Sequence, residues 1–254
     1  HIPVLWTHLI PATMEGKAIH NVQNAMFAVA IAYSMGMSLD DLRNGLRTFV
    51  SSYHQTPGRM NFYDEHPFKV LLDYGHNPAA INMIGKFVDQ MQVSGRKTAV
   101  VTFPGDRTDE LIEESVKLLP KHFTHFIVKQ DDNRRGRPSG EVAELIRSLL
   151  IKHGTKAENI EIILDEQEAV NKALSSAVEG DYVVVFADKV SRCWKQITSF
   201  KSTGNVRVKD VDTRADDHLL ERGEVDLIAD AISNATMRTD KRGVIIEIEE
   251  ELND

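Results

Sequence analysis

The chain has 254 residues, 42% of them hydrophobic, enough to bury a sizeable core in one or two domains. Cys193 is the lone cysteine, which excludes a disulfide framework and a thiolate metal cluster and fits a reducing, cytoplasmic compartment. The net charge of −8 lies in the tail, where residues 209–254 carry six Lys/Arg against fourteen Asp/Glu. The rest is balanced, so there is no basic domain to suggest nucleic-acid binding. No apolar run approaches the ~20 residues of a membrane span, and no signal peptide is visible. The start at His1, in mid-pattern, points to a fragment.

Ile2–Trp6 and His8–Thr13 read as short strands with turns. A helix is expected from about Ala18 to Met35, with Val22, Ala25, Met26, Val29, Ala30 and Tyr33 on one stripe. Ser38 should cap a second helix that runs to about Phe49. On the first turns of the earlier helix, Asn21 and Asn24 share a face, and an amide offers the donor and acceptor that an adenine edge requires. Asn21 could equally be a plain helix cap. The turn-rich linker from Ser51 to Arg59 leaves Arg59 at the exit of a Pro-Gly turn, able to meet a phosphate or simply solvated.

The stretch Val70-Leu71-Leu72-Asp73-Tyr74-Gly75-His76-Asn77-Pro78 organises the rest of the chain. An apolar strand ends at Asp73, and Asn77-Pro78 opens a helix, so Asp73 and His76 fall at a strand-to-helix junction. Strands are expected at Phe68–Asp73, Thr98–Phe103, His125–Lys129, Ile160–Leu164 and Tyr182–Ala187. Helices are expected at Pro78–Met91, Thr108–Phe123, Ser139–His153, Glu166–Val178 and Val190–Phe200. This alternation predicts an α/β fold: a Rossmann-like, mostly parallel, doubly wound sheet. Ligands bind at the carboxyl edge of such sheets. Three more junctions place polar clusters there: Pro104–Asp109, Asp131–Glu141 and Asp188-Lys189. In the tail, Val206–Val208 and Gly243–Glu249 read as strands and Glu224–Ser233 as a helix.

These motifs resemble the Mur ligase superfamily, ATP-dependent ligases that join an amino acid to a carboxylate. The resemblance rests on His20-Asn21-x-x-Asn24, Gly58-Arg59 and Asp73-Tyr74-Gly75-His76-Asn77-Pro78. Family members usually have alanine in place of Gly75, a change expected to matter little. Within the superfamily the chain is similar to the cyanophycin synthetase family through Ile10–Thr13, Gln55–Asn61, Pro104–Asp109 and Arg135–Glu141. The likeness covers roughly residues 8–200.

The resemblance implies the helical end of a central ATPase domain at 1–52, a carboxyl-terminal Rossmann-like domain at 53–200 and an acidic extension at 201–254. It puts Asn24 against the adenine with Asn21 supporting it, Arg59 near the phosphates, Asp73 at the ribose hydroxyls and His76 toward the γ-phosphate. Arg59 and His76 are thereby the catalytic candidates. Arg107 and the loop with Asp131, Asp132, Arg134, Arg135 and Arg137 fall on the amino-acid side, where Asp131 or Asp132 suits a guanidinium. The implied reaction activates a β-carboxylate of a poly-aspartate (cyanophycin) primer as an acyl phosphate, which arginine attacks. Its co-substrates are ATP and Mg²⁺, and its partners the ATP-grasp and central domains of the same enzyme. A homo-oligomer is open. No Gly-x-x-x-x-Gly-Lys-Ser/Thr loop occurs in the chain, so that loop and the Mg²⁺ ligands are expected upstream, and the chain carries no metal ligands itself. Another Mur-type ligase, of peptidoglycan or folylpolyglutamate type, and a non-catalytic binding module stay open.

Overall fold

The structure is a computed structural model that describes residues 3–91 and 93–201, and the backbone of 236–240 and 243–247. It comprises two compact units, His1–Gly204 and Asn205–Asp254. In the second, β7 (Thr236–Asp240) and β8 (Gly243–Glu247) pair antiparallel. The tail segments expected at Val206–Val208 and Glu224–Ser233 lie outside the described residues.

The first unit opens with two short 3₁₀ turns, Thr7–Leu9 and Pro11–Thr13, where strands were expected. Pro11 starts the second turn, and the Thr13 hydroxyl bonds the carbonyls of Thr7 and Ile10 at 2.6 and 2.8 Å, which coils the segment on itself. Helices α1 (Ile19–Ser34) and α2 (Leu39–Thr48) come next, and Ser38 caps α2 by accepting the Asp41 N–H. No residue of α1 is buried, and Met26, Phe27, Ile31 and Tyr33 are more than half exposed. Its apolar residues run round the whole helix rather than along one stripe.

A six-stranded sheet then forms in the order β1-β2-β6-β3-β4-β5. Its members are β1 (Asn61–Tyr63), β2 (Lys69–Asp73), β3 (Lys97–Val101), β4 (His125–Val128), β5 (Ile160–Ile162) and β6 (Tyr182–Phe186). β1, which the sequence pattern missed, pairs antiparallel with β2; every other pairing is parallel. Between strands run α3 (Pro78–Gln90), α4 (Asp109–Val116), α5 (Glu141–Lys152), α6 (Glu166–Ser176) and α7 (Val190–Ser199). Helix α4 stops well short of Phe123 because Pro120 cannot continue it, and a 3₁₀ turn at Leu119–Lys121 takes over.

The strands are apolar on both faces because both are covered. Leu71, Ala99, Phe126 and Val184 pack with α3, α4 and α5. Val70, Val100, Ile127 and Val183 pack with α6 and α7. The helix after β3 therefore lies on one face and the helix after β6 on the other, although β3 and β6 are neighbours. Between their carboxyl ends the winding reverses, and a crevice opens there.

Candidate active site

Two concavities lie at this end of the unit. The larger, of about 740 Å³, is within the range of small-molecule sites. Its walls come from α1, α2 and the 3₁₀ turn on one side and from Met60 and Met83 on the other, and its polar residues include Asn21, Asn24, Arg59 and Asp73. Asn21 donates to the Ala12 carbonyl at 2.7 Å, and its own oxygen accepts from Asn24 at 3.3 Å, so Asn21 holds Asn24 in place. Asp73 ends β2 and is 4% exposed. It accepts the Met60 N–H at 2.9 Å and the Gly75 N–H at 2.7 Å. Burial pushes its carboxyl above the usual range, and those two bonds and the charge of Arg59 pull against the rise.

Gly75 has little room. A β-carbon there would lie 2.9 Å from both Ala80 Cβ and Asp73 Oδ1. An alanine at this position would require Ala80 or Asp73 to move. Asn77 caps α3 through the Ala80 N–H at 2.9 Å, and His76 turns back to donate from Nδ1 to the Tyr74 carbonyl at 2.9 Å.

The smaller concavity is a recess of about 20 Å³ in the crevice between the β3 and β6 ends. Tyr74, Gly75 and His76 from the β2 end, Thr102 and Pro104 after β3, Asp131 and Arg135 after β4, and Phe186 to Asp188 after β6 line it. Four strand ends thus contribute to one hollow. Arg135 is held over it by two bonds to Asp106, at 3.0 and 2.9 Å. Burial lifts Asp131 to about 6; Lys129 and Arg135 oppose the rise, and Asp188 and Glu166 add to it.

Residues 58–188, more than half of the chain, match the profile of the Mur ligase, glutamate ligase domain. The chain belongs to the Mur ligase family. It is 41% identical over 198 residues to a cyanophycin synthetase of Nostoc sp. (strain PCC 7120), covering 76% of this chain and 22% of that protein. It is 40% identical over 183 residues to that of Crocosphaera subtropica, covering 72% and 21%. A UDP-N-acetylmuramoyl-L-alanyl-D-glutamate--2,6-diaminopimelate ligase of Bacillus cereus is 24% identical over 177 residues, covering 69% and 34%. The chain spans about a fifth of the length of the cyanophycin synthetases it matches. Two solved structures share the fold. E. coli FolC in complex with ADP aligns with a TM-score of 0.55 at 21% identity, covering 71% of this chain and 40% of that one. The UDP-N-acetylmuramate-alanine ligase MurC of Thermotoga maritima aligns with 0.54 at 17%, covering 73% and 38%.

The remaining residues singled out in the sequence fall elsewhere in this Mur ligase unit. Arg137 is a staple: Nε donates to the Gly105 carbonyl at 3.1 Å and Nη2 to the Arg107 carbonyl at 2.8 Å, with ion pairs to Asp109 and Glu141. It ties the loop after β4 to the loop after β3. Arg107 and Arg134 are exposed and line neither concavity. Asp132 is taken up by Arg192 of α7, which bonds both its oxygens at 3.0 and 3.2 Å. Arg192 also reaches Glu166 at 2.8 Å, and Glu166 accepts the N–H groups of Asp188 and Lys189 at 2.7 and 3.1 Å. Behind them the fully buried Lys129 pairs with Glu166 at 2.9 Å. None of Lys129, Glu166 or Arg192 carries a signal in the sequence, because a lysine ending an apolar strand and a glutamate opening a helix look ordinary there. Asp188 and Thr102 were legible only as members of a strand end. Among the described residues no group of three or more His, Cys, Asp or Glu is placed to hold a metal ion, and no helix is long and apolar enough to cross a membrane.

Proposed function

We propose that this chain is the carboxyl-terminal part of an ATP-dependent ligase that adds arginine to a β-carboxylate of a poly-aspartate backbone through an acyl phosphate. The observation that carries the reading is the likeness, near 40% identity over about three quarters of the chain, to cyanophycin synthetases. The gathering of four strand ends at one crevice supports it.

The residues round the larger concavity fit a nucleotide. Asn24 offers an amide to the adenine, with Asn21 fixing its orientation. Asp73 has lone pairs left for ribose hydroxyls, and Arg59 supplies a guanidinium for phosphate oxygens. Moving phosphate onto a carboxylate brings like charges together, and Arg59, with His76 toward the γ-phosphate, offsets that repulsion. Among the described residues no group of three or more His, Cys, Asp or Glu is placed to hold Mg²⁺. The loop after β4, with Arg135 and Asp131 facing the recess, takes the amino acid, while Asp132 and Arg137 hold the loop in shape. The uncovered apolar residues of α1 suit packing against the remainder of the same enzyme.

The product of the full open reading frame that encodes this chain, given ATP, a poly-aspartate primer and in turn arginine, glutamate or meso-diaminopimelate, should release phosphate with arginine. Release with one of the other two instead would reassign the substrate, and none with any would refute the ligase reading.

A further inference from the structure

We propose that the recess between the ends of β3 and β6, built on Thr102, Asp131 and Asp188, seats the α-ammonium group of the incoming amino acid, and that Asp131 takes its proton. The inference rests on the ligase reading above and assigns a role within that site.

The recess is small, about 20 Å³, and admits a group the size of a water molecule or an ammonium. With the ammonium seated there, the side chain of an arginine substrate is left to the exposed loop outside, and Asp131 serves the other end of the molecule than the guanidinium expected from sequence.

A hydroxyl of the recess is also left unpaired. Thr102 is 6% exposed and lines the recess, yet its Oγ1 has no hydrogen-bond partner among the described residues. A buried polar group left unpaired costs about 1–3 kcal/mol, a cost that an N–H donor seated in the hollow and reaching this hydroxyl would remove.

Asp188 accepts the Asp132 N–H through Oδ2 at 3.0 Å. Asp131 has a side chain only 13% exposed, and its nearest cation, Lys129, stands 4.0 Å away. Lys129 is nearer to Glu166, at 2.9 Å. The other ionisable groups acting on or facing Asp131 are Asp188 and Glu166, Arg135, which is bound to Asp106, and Tyr74 and His76 from the β2 end. Two carboxylates therefore meet in the recess, where Lys129, the nearer cation to Asp131, is drawn toward Glu166 and Arg135 toward Asp106. Burial and these neighbours bring Asp131 to about 6, where a carboxylate is ionised at neutral pH and still a useful base.

The chemistry balances. The ammonium transfers one proton to Asp131, which becomes a neutral acid. The freed nitrogen lone pair forms a C–N bond at the carbonyl carbon of the acyl phosphate. The C–O bond to phosphate breaks, the leaving phosphate keeps that electron pair, and it takes the second proton from nitrogen. Asp131 then returns its proton to solvent.

The test compares the wild-type full open reading frame product with its Asp131→Asn and Thr102→Val variants, from about pH 5 to about pH 9. Phosphate release with arginine is one readout. Hydroxamate formation with hydroxylamine, an amine already unprotonated at neutral pH, is the other. Asp131→Asn should lower kcat/KM for arginine by about 10²–10⁴-fold, abolish the fall in rate below about pH 6, and leave the KM for ATP within about twofold. Hydroxamate should form at the wild-type rate, because that nucleophile needs no base. Thr102→Val should raise the KM for arginine with kcat little changed. Wild-type arginine kinetics in Asp131→Asn, or equal losses with arginine and hydroxylamine, would overturn the proposal while the ligase reading stands. A wild-type enzyme that yields neither product would remove both.

Discussion

Glu166 sits where three positive or N–H-bearing elements meet, and replacing it with Gln tests how the strand-end loops are held. One carboxylate, with its side chain fully buried, faces Lys129 at 2.9 Å and Arg192 at 2.8 Å and accepts the Asp188 and Lys189 N–H groups. Glu166→Gln leaves Lys129 buried beside a neutral amide whose NH₂ confronts donors. Removing one partner of a buried pair costs about 3–5 kcal/mol. The carboxyl's own titration gives a similar size. Burial raises its pKa, but Lys129 and the bonds to Asp188 and Arg192 outweigh that and hold it at about 2, against an ordinary 4.5. At about 1.4 kcal/mol per pH unit this is worth about 3 kcal/mol. Because folding lowers the pKa, that stability is whole above about pH 4.5 and fades as pH falls toward 2. Urea unfolding of the 254-residue chain at pH 7 should show Glu166→Gln less stable by about 3 kcal/mol, or about 6–12 °C in Tm for a unit of this size. The variant should also lose part of the wild-type decline in stability between about pH 4.5 and about pH 2. A difference below about 1 kcal/mol, with the acid decline unchanged, would refute the reasoning.

Further consequences are open to direct measurement. Gly75→Ala forces a β-carbon to 2.9 Å from Ala80 and Asp73 and should cost about 1–3 kcal/mol in urea unfolding; a neutral result would show that the start of α3 yields freely. Asn24→Ala in the full open reading frame product should raise the KM for ATP about tenfold and leave the KM for arginine alone, and the reverse pattern would take the adenine away from α1. The 254-residue chain by itself, without a phosphate-binding loop, should bind ATP weakly in calorimetry and show no turnover. A robust ligase rate from it would contradict that expectation.

Most of the sheet was legible because a strand covered on both faces must be apolar at every position, and Val70–Leu72, Ala99–Val101 and Tyr182–Phe186 have no other use for such runs. The caps at Ser38 and Asn77 arise from local chemistry alone, and both form as read. Segments set by distant partners were harder. β1 has three residues and exists because Asn61 pairs with Leu72, and the opening turns coil because Thr13 bonds backward. In the site, the junctions could be placed on one edge, but the division of labour within the loop after β4 could not. Arg192, sixty residues beyond Asp132, decides that this aspartate is structural, and Asp188 takes part in the recess only because β6 lies between β2 and β3.

The central claim is that a nucleotide and an amino acid meet at the carboxyl ends of β2, β3, β4 and β6. A crystal structure of the full open reading frame product with a non-hydrolysable ATP analogue and arginine tests it most directly. The adenine should lie beside Asn24, the ribose beside Asp73 and the α-nitrogen of arginine between Thr102, Asp131 and Asp188. Ligands bound at the opposite end of the sheet, or arginine with its guanidinium in the recess, would contradict it.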